Sequence, residues 1–226
     1  FNEDKLVAIA EKAKEVGIEL FVLDDGWFGK RNDDTRGLGD WFVNKKKLPS
    51  GIDGLAKKIN DIGLKFGIWI EPEMVNPDSD LYREHPDWAI QIPGREPSLS
   101  RNQLILDLSR QEVCDYIIKA ISDVLSGANI GYVKWDMNRP MTDMPFVGYN
   151  HEYTLGFYKI MDAITGAFPD VLFEGCSGGG GRFDAGVLAY MPQIWTSDNS
   201  DTVARLRIQY STSMGYPVSA ISAHVT

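Results

Sequence analysis

Short apolar runs alternate with helix-period segments along nearly the whole chain, and this alternation restricts the fold more than any other feature. Leu6, Ile9, Ala10, Ala13 and Val16 recur at helical spacing, Gly17 breaks the pattern, and Ile18 to Leu23 form an apolar run that ends at Asp24 and Asp25. The same reading predicts helices at 51–62, 110–125, 152–167 and 200–212, and strands at 66–71, 131–136, 170–175, 193–197 and 217–223. Strands separated by helices imply parallel βαβ units, and hence an α/β fold. Periodicity leaves 103–109 open, as a further strand or as a short piece inside a long excursion between 72 and 110.

The 226 residues fit one large single-core unit as well as two small domains. No linker composition and no internal repeat divides them, so the expectation is one domain. A (β/α)8 barrel takes about 250 residues, and this chain opens on a helix and stops after a strand, which predicts that at least one βα unit is missing. Phe rather than Met at position 1 predicts a processed chain or a piece of a longer one. Usage of 43% hydrophobic and 24% charged residues excludes a disordered, coiled-coil or collagen-like chain. The net charge of −9 argues against nucleic acid or an anionic membrane as the main partner. No apolar run approaches the ~20 residues of a membrane span, and Phe1 to Lys5 does not open a signal peptide. Cys114 and Cys176 fit neither a disulfide framework nor a zinc ribbon, a pattern compatible with a reducing compartment.

The predicted strand ends carry Asp24, Asp25, Trp69, Glu71, Lys134, Asp136, Cys176 and Asp198. In a (β/α)8 barrel that end is the catalytic face. Side chains alternate along a strand, so Lys134, Asp136 and Asn138 project to one side. An ammonium group beside a carboxylate holds it ionised, as a nucleophile requires; the competing reading is a buried structural ion pair. Ser197, Asp198, Asn199 and Ser200 are all good helix caps, so Asp198 could simply open the next helix. Behind Trp195 and on the face of an ionised Asp136, however, its carboxyl would be desolvated and repelled, which favours the proton-bearing form. Two carboxyls in opposed environments are what glycoside hydrolysis uses. Asp24 and Asp25 next to Trp27 and Phe28, with Trp69 nearby in the next strand, suit the hydroxyls and C–H faces of a sugar. Adjacent aspartates can also bind a metal, but His85, His151 and His224 are scattered and no HExxH or EF-hand pattern occurs, so no metal or cofactor is expected.

The run Gly175-Cys176-Ser177-Gly178-Gly179 satisfies GxSxG after a strand, and Asp198 and His224 follow in the order of an α/β-hydrolase triad. A serine hydrolase using Ser177 is therefore the alternative, although it leaves Lys134, Asp136 and Trp69 unexplained. Trp41, Trp88, Met144 and Met191 read as packing residues and Lys45-Lys46-Lys47 as a solvated face.

Five segments together resemble the α-galactosidases of glycoside hydrolase family 36, enzymes that act on α-galactosides such as melibiose and raffinose. They are FVLDDGWFG at 21–29, GIWIEPEMVNPDSDLY at 67–82, YVKWDMNR at 132–139, CSGGGGRFD at 176–184 and WTSDNSD at 195–201. The resemblance implies a retaining double displacement on a (β/α)8 barrel, with Asp136 as nucleophile and Asp198 as general acid/base. By the same resemblance Asp24, Asp25, Trp69, Arg101, Lys134, Asn138, Cys176 and Gly178 are substrate-binding positions. It assigns 103–109 to an excursion and makes residues 1–226 a single barrel domain truncated at both ends, holding strands two to seven and lacking strands one and eight. The flanking β-sandwich and C-terminal β-domain of the family are outside the chain, and a family tryptophan on strand one has no counterpart. A catalytically inactive sugar-binding fragment is accordingly a further alternative. The family also implies a cytoplasmic enzyme, a homo-oligomer when intact, with a small-molecule galactoside as partner and no nucleic acid or membrane.

Overall fold

The computed structural model describes residues 1–223. Its helices are α1 (Glu3–Glu15), α2 (Gly51–Asp61), α3 (Asp80–Glu84), α4 (Gln111–Ser126), α5 (Tyr149–Ala167), the single turn α6 (Ser177–Gly180) and α7 (Thr202–Ser213). Its strands are β1 (Leu20–Leu23), β2 (Lys65–Ile70), β3 (Met74–Val75), β4 (Leu104–Ile105), β5 (Tyr132–Trp135), β6 (Leu172–Gly175) and β7 (Gln193–Ile194). Local chemistry sets several boundaries. Asn2 caps α1 by accepting from the Lys5 N–H at 3.1 Å, and acidic Glu3 and Asp4 against basic Lys12 and Lys14 complement the helix dipole. Gly17, at φ 85°, closes that helix in the left-handed conformation that glycine adopts most readily.

Strands β1-β2-β5-β6-β7 form one sheet in that order, parallel throughout. The protein is thus an α/β fold with a parallel sheet and crossover helices, as the alternation predicts. Leu104–Ile105 pairs antiparallel with Met74–Val75, apart from the main sheet, so 103–109 does belong to an excursion. The strand expected at 217–223 is instead a 3-10 turn at Val218–Ala220 followed by one parallel bridge from Ile221 to Ile194. Only Gln193 and Ile194 of the run expected at 193–197 pair as a strand, because the chain then turns toward Asp198.

One face of the sheet carries Ile68, Ile70, Val133, Trp135, Phe173 and Ile194, all essentially buried in a common core with Leu55, Ile59, Ile117, Ile121, Phe157 and Ile160 of the helices. Trp135 meets Phe157 of α5 edge-on at 6.1 Å. The opposite face is polar: Trp69, Lys134, Glu174 and Gln193 share one level of the register. Below them Tyr132 donates to Glu174 at 2.7 Å, and the buried Glu174 also accepts from Ser222. A carboxyl 2% exposed is tolerated there because both its oxygens have a hydroxyl donor.

Two packing expectations need correction. Met144 is 55% exposed and packs into no core, whereas Trp41, Trp88 and Met191 are buried or half-buried. Lys47 is not part of a solvated face: its ammonium donates to the Gly26 carbonyl at 2.8 Å and to the Arg31 carbonyl, and burial pulls it below the usual lysine range. Among the described residues no helix is long and apolar enough to cross a membrane.

Helices α4 and α5 and the Leu108 turn meet at Gly156, where an added Cβ would lie 1.9 Å from the Leu108 carbonyl oxygen. Alanine is the better helix former by about 1 kcal/mol, but overpacking costs about 1–3 kcal/mol and here meets backbone. Gly156→Ala is therefore expected to lower the urea midpoint rather than raise it.

Candidate active site

The loop after β1 is built on aromatic rings. Trp27 and Phe28 are fully buried, Phe28 packs on Trp41 at 4.4 Å and stacks on Trp69 at 6.2 Å, and Trp27 Nε1 donates to the Trp69 carbonyl at 2.9 Å. This base carries Asp24 and Asp25 out to solvent at the end of the sheet. Asp25 is fixed by the buried Arg31, whose Nε and Nη2 reach its carboxylate at 3.0 and 2.8 Å. Arg31 also donates to the Asn76 side-chain oxygen at 3.3 Å, and Asn76 Nδ2 donates to the Asn102 carbonyl at 2.7 Å. A relay thus ties Asp25 to the exposed turn of Arg101 and Asn102, both in left-handed backbone at φ 50° and 60°.

Asp136 follows β5 and is 5% exposed. Four donors hold its carboxylate. Trp69 Nε1 at 3.0 Å and Asn138 Nδ2 at 2.7 Å bind one oxygen; the Met137 N–H at 2.8 Å and the Gly178 N–H at 3.0 Å bind the other. The Gly178 donor comes from the turn after β6. There Gly178, Gly179 and Gly180 all have φ between 62° and 93°, and a Cβ on Gly179 would lie 2.8 Å from the Asp198 nitrogen. A Cβ on Gly180 would meet the Thr196 carbonyl oxygen at 2.8 Å. Glycine is required because this turn lies backbone to backbone against the segment that carries Asp198.

Asp198 is exposed and accepts from Trp195 Nε1 at 2.8 Å. The helix cap lies further on, at Asp201, which accepts from the Ala204 N–H at 2.7 Å, so Asp198 is not engaged in opening α7. The burial expected around Asp198 is not supplied by the described residues. Lys134 also departs from expectation. Its ammonium stands nearest Asp24, at 3.4 Å, and lies 4.6 Å from the centre of the Trp195 ring rather than pairing with Asp136. Burial lowers its proton affinity, but the carboxylates of Asp24 and Asp136 outweigh that and keep it above the ordinary lysine value. Burial, and then the Asp136 carboxylate, push the Cys176 thiol up, so it stays neutral.

The structure therefore brings Asp24, Trp69, Lys134, Asp136, Asn138, Cys176, Gly178 and Asp198 to one end of the sheet, with Asp25 bound to Asp24 through its backbone N–H and the Arg101–Asn102 turn tied to Asp25 through Arg31 and Asn76. A cavity of about 570 Å³ flanks this group rather than containing it, and is bounded by Asn138, Met141, Tyr153, Gly178 and Arg182. Ser177 is strained, at φ 49°, as a nucleophile elbow would be. Yet Asp198 is bound to Trp195, His85 stacks on Trp88 and His224 lies outside the described residues, so no Ser-His-Asp relay is assembled among those described. Among the described residues no group of three or more His, Cys, Asp or Glu could hold a metal ion.

The sequence reading places Glu71 at a strand end without giving it a role, and passes over Glu73. Glu71 and Glu73 flank Pro72 and are both wholly buried. Glu73 accepts from Trp135 Nε1, Tyr153 Oη and both terminal nitrogens of Arg182 at 2.7 to 2.9 Å. Arg182 follows the glycine turn directly, so this ion pair anchors that turn. The available signal was the pairing of two acids so close together at the end of an otherwise apolar strand.

The sequence profile described as Melibiase matches residues 1–226. The chain is 61% identical to "Alpha-galactosidase AgaA" of Geobacillus stearothermophilus over all of its own length and 32% of that protein. It is 56% identical to the "Bifunctional alpha-galactosidase/sucrose kinase AgaSK" of Mediterraneibacter gnavus, over all of the chain and 24% of the relative. A crystal structure of a variant of the Geobacillus enzyme in complex with raffinose superposes at a TM-score of 0.97, with 60% identity, covering 100% of this chain and 32% of that one. The chain thus spans about a third or less of the length of these relatives. With every motif-bearing strand end inside the match, the chain belongs to the melibiase family.

Proposed function

We propose that the chain carries the catalytic residues of a retaining α-galactosidase acting on terminal α-galactosyl groups of oligosaccharides such as melibiose and raffinose. The observation that carries this reading is the four-donor cradle of Asp136 at the end of a parallel strand, one donor coming from a glycine turn whose other side packs against the backbone of a second acid, Asp198. The relative's complex with raffinose supports the substrate class. In the same reading the five parallel strands are strands two to six of a (β/α)8 barrel, the bridge at Ile221 is where strand seven begins, and residues 1–226 are one barrel domain.

Asp136 attacks the anomeric carbon with one carboxylate oxygen. As the C–O bond to the leaving sugar breaks, Asp198 gives its proton to that glycosidic oxygen. A galactosyl ester of Asp136 results, and Asp198 is now a carboxylate. It takes a proton from water, whose oxygen attacks the anomeric carbon, expels Asp136 and leaves galactose with its α configuration. Two inversions require both carboxyls within about 5–5.5 Å across the anomeric centre. Ionised Asp136 is stabilised by neutral donors rather than by a contacting cation, so it keeps its charge without a tight ion pair that attack would have to break. Asp24 with Lys134, and Asp25 with Arg31, offer acceptors and donors to ring hydroxyls; Trp69 offers an indole edge already oriented by Asp136. Arg101, Asn138, Cys176 and Gly178 complete the binding positions.

Asp136→Asn is expected to remove turnover by at least about 10³-fold and to abolish a galactosyl adduct on this peptide after incubation with a slow galactosyl fluoride, read by intact mass. Circular dichroism should show the fold retained; a folded variant that still forms the adduct overturns the assignment. Asp198→Ala is expected to lose about 10²–10⁴-fold on oligosaccharides, whose leaving groups need protonation, and far less on aryl galactosides with acidic phenols. Proton NMR at early times should show α-galactose first; β-galactose first would replace the double displacement by an inverting reaction.

A further inference from the structure

Glu71 and Glu73 are neighbours in sequence with equal burial and opposite company. Glu73 has four donors, two of them from a guanidinium, which suits a carboxylate. Glu71 has no Lys, Arg or His within ion-pair distance among the described residues; the Asn138 backbone N–H donates to Oε1 and Gln103 Nε2 donates to Oε2 at 3.2 Å. The charged groups that act on it are Asp136, which repels a second negative charge, and Arg31, which attracts one but is committed to Asp25. Asp136 is held by four donors, whereas Glu71 is met by the Asn138 backbone, by Gln103 and by the Asn138 side chain that Asp136 also uses, so a single negative charge shared by this pair settles on Asp136. One further atom fits: among the described residues, Gln103 Oε1 is buried without a hydrogen-bond partner. A carboxamide turned about its Cγ–Cδ bond would present that oxygen to a proton on Glu71 Oε2.

Resting on the assignment of Asp136 as nucleophile, we infer that Glu71 is a positioning residue that acts as a neutral carboxylic acid, holding the Asn138 backbone so that its amide reaches the Asp136 carboxylate. Burial first, and then Asp136, raise the Glu71 proton affinity from 4.5 to about 8, in agreement with that geometry. The linkage follows from the sign of this shift. The folded state binds the proton more tightly than the unfolded state, so the contribution to stability is complete below about 4.5 and is lost as pH rises toward about 8.

Glutamine reproduces a neutral acid: its carbonyl accepts from Asn138 and its amide donates toward Gln103. The test compares wild type, Glu71→Gln, Glu71→Ala and Asp136→Asn by urea denaturation at acid and alkaline pH, together with the rate of galactosyl-fluoride trapping. Wild type should lose more stability than Glu71→Gln as pH rises, and Asp136→Asn, which removes the repelling charge, should lose less than wild type. Trapping by Glu71→Gln should stay within about threefold of wild type, while Glu71→Ala should slow it about tenfold, the worth of one positioning hydrogen bond. Parallel pH profiles for wild type and Glu71→Gln, or slow trapping by a Glu71→Gln variant of wild-type stability, overturn the inference. An adduct missing from wild type, or present on Asp136→Asn, would instead count against the nucleophile, while the pH comparison still decides the state of Glu71.

Discussion

A carboxylate that is 5% exposed, with no cation in contact among the described residues, is the constraint around which the strand ends are arranged. Burying such a charge costs several kcal/mol, and hydrogen bonds to a charged group return about 1.5–3 kcal/mol each, so four are enough to hold it and one or two are not. The donors at Asp136 come from the end of β2, from its own loop and from the turn after β6. Displacing any of these elements would leave the charge under-solvated. The aromatic base under Asp24 and Asp25, and the Glu73–Arg182 pair behind the glycine turn, act at one remove: each fixes a segment that supplies or borders a donor.

The rest of the sheet follows a division between its faces. Apolar residues of β2, β5 and β6 turn toward the helices, while their neighbours carry Trp69, Lys134 and Glu174 on the other side. The polar face is graded along the strands. Deep in it, Tyr132 and Ser222 satisfy Glu174, a closed arrangement with nothing left to offer a ligand. On the same level Trp69 and Lys134 face Asp136, the next residue of β5 to project from this side.

Much of this is legible in the sequence. The alternation of Ile68-Trp69-Ile70 and Tyr132-Val133-Lys134-Trp135-Asp136 gives away both the strands and the face on which Asp136 projects. What periodicity cannot reveal is who pairs with whom across the sheet. Lys134 lies two residues from Asp136, yet its ammonium reaches Asp24, a partner 110 positions away in the chain. Asp201 rather than Asp198 caps α7, since the backbone first has to pass the glycine turn, and that passage is set by tertiary contact. Glu71 and Glu73 were visible as letters, but their opposite surroundings depend on Arg182 and Asp136, from the segments that follow β6 and β5. Lys47 shows the same limit, a surface-looking cation drawn inward by two carbonyl oxygens.

The turn at Gly178–Gly180 has a consequence for how such a site can diverge. Its contribution is made of main-chain atoms, and at Gly179 and Gly180 its neighbours are main-chain atoms too, at distances that admit no side chain. Inheritance can alter side chains readily but backbone amides hardly at all. The glycine turn is therefore a fixed rail beside Asp136 and Asp198, and divergence has to run through side chains such as Met141 and Tyr153 that border the adjoining cavity.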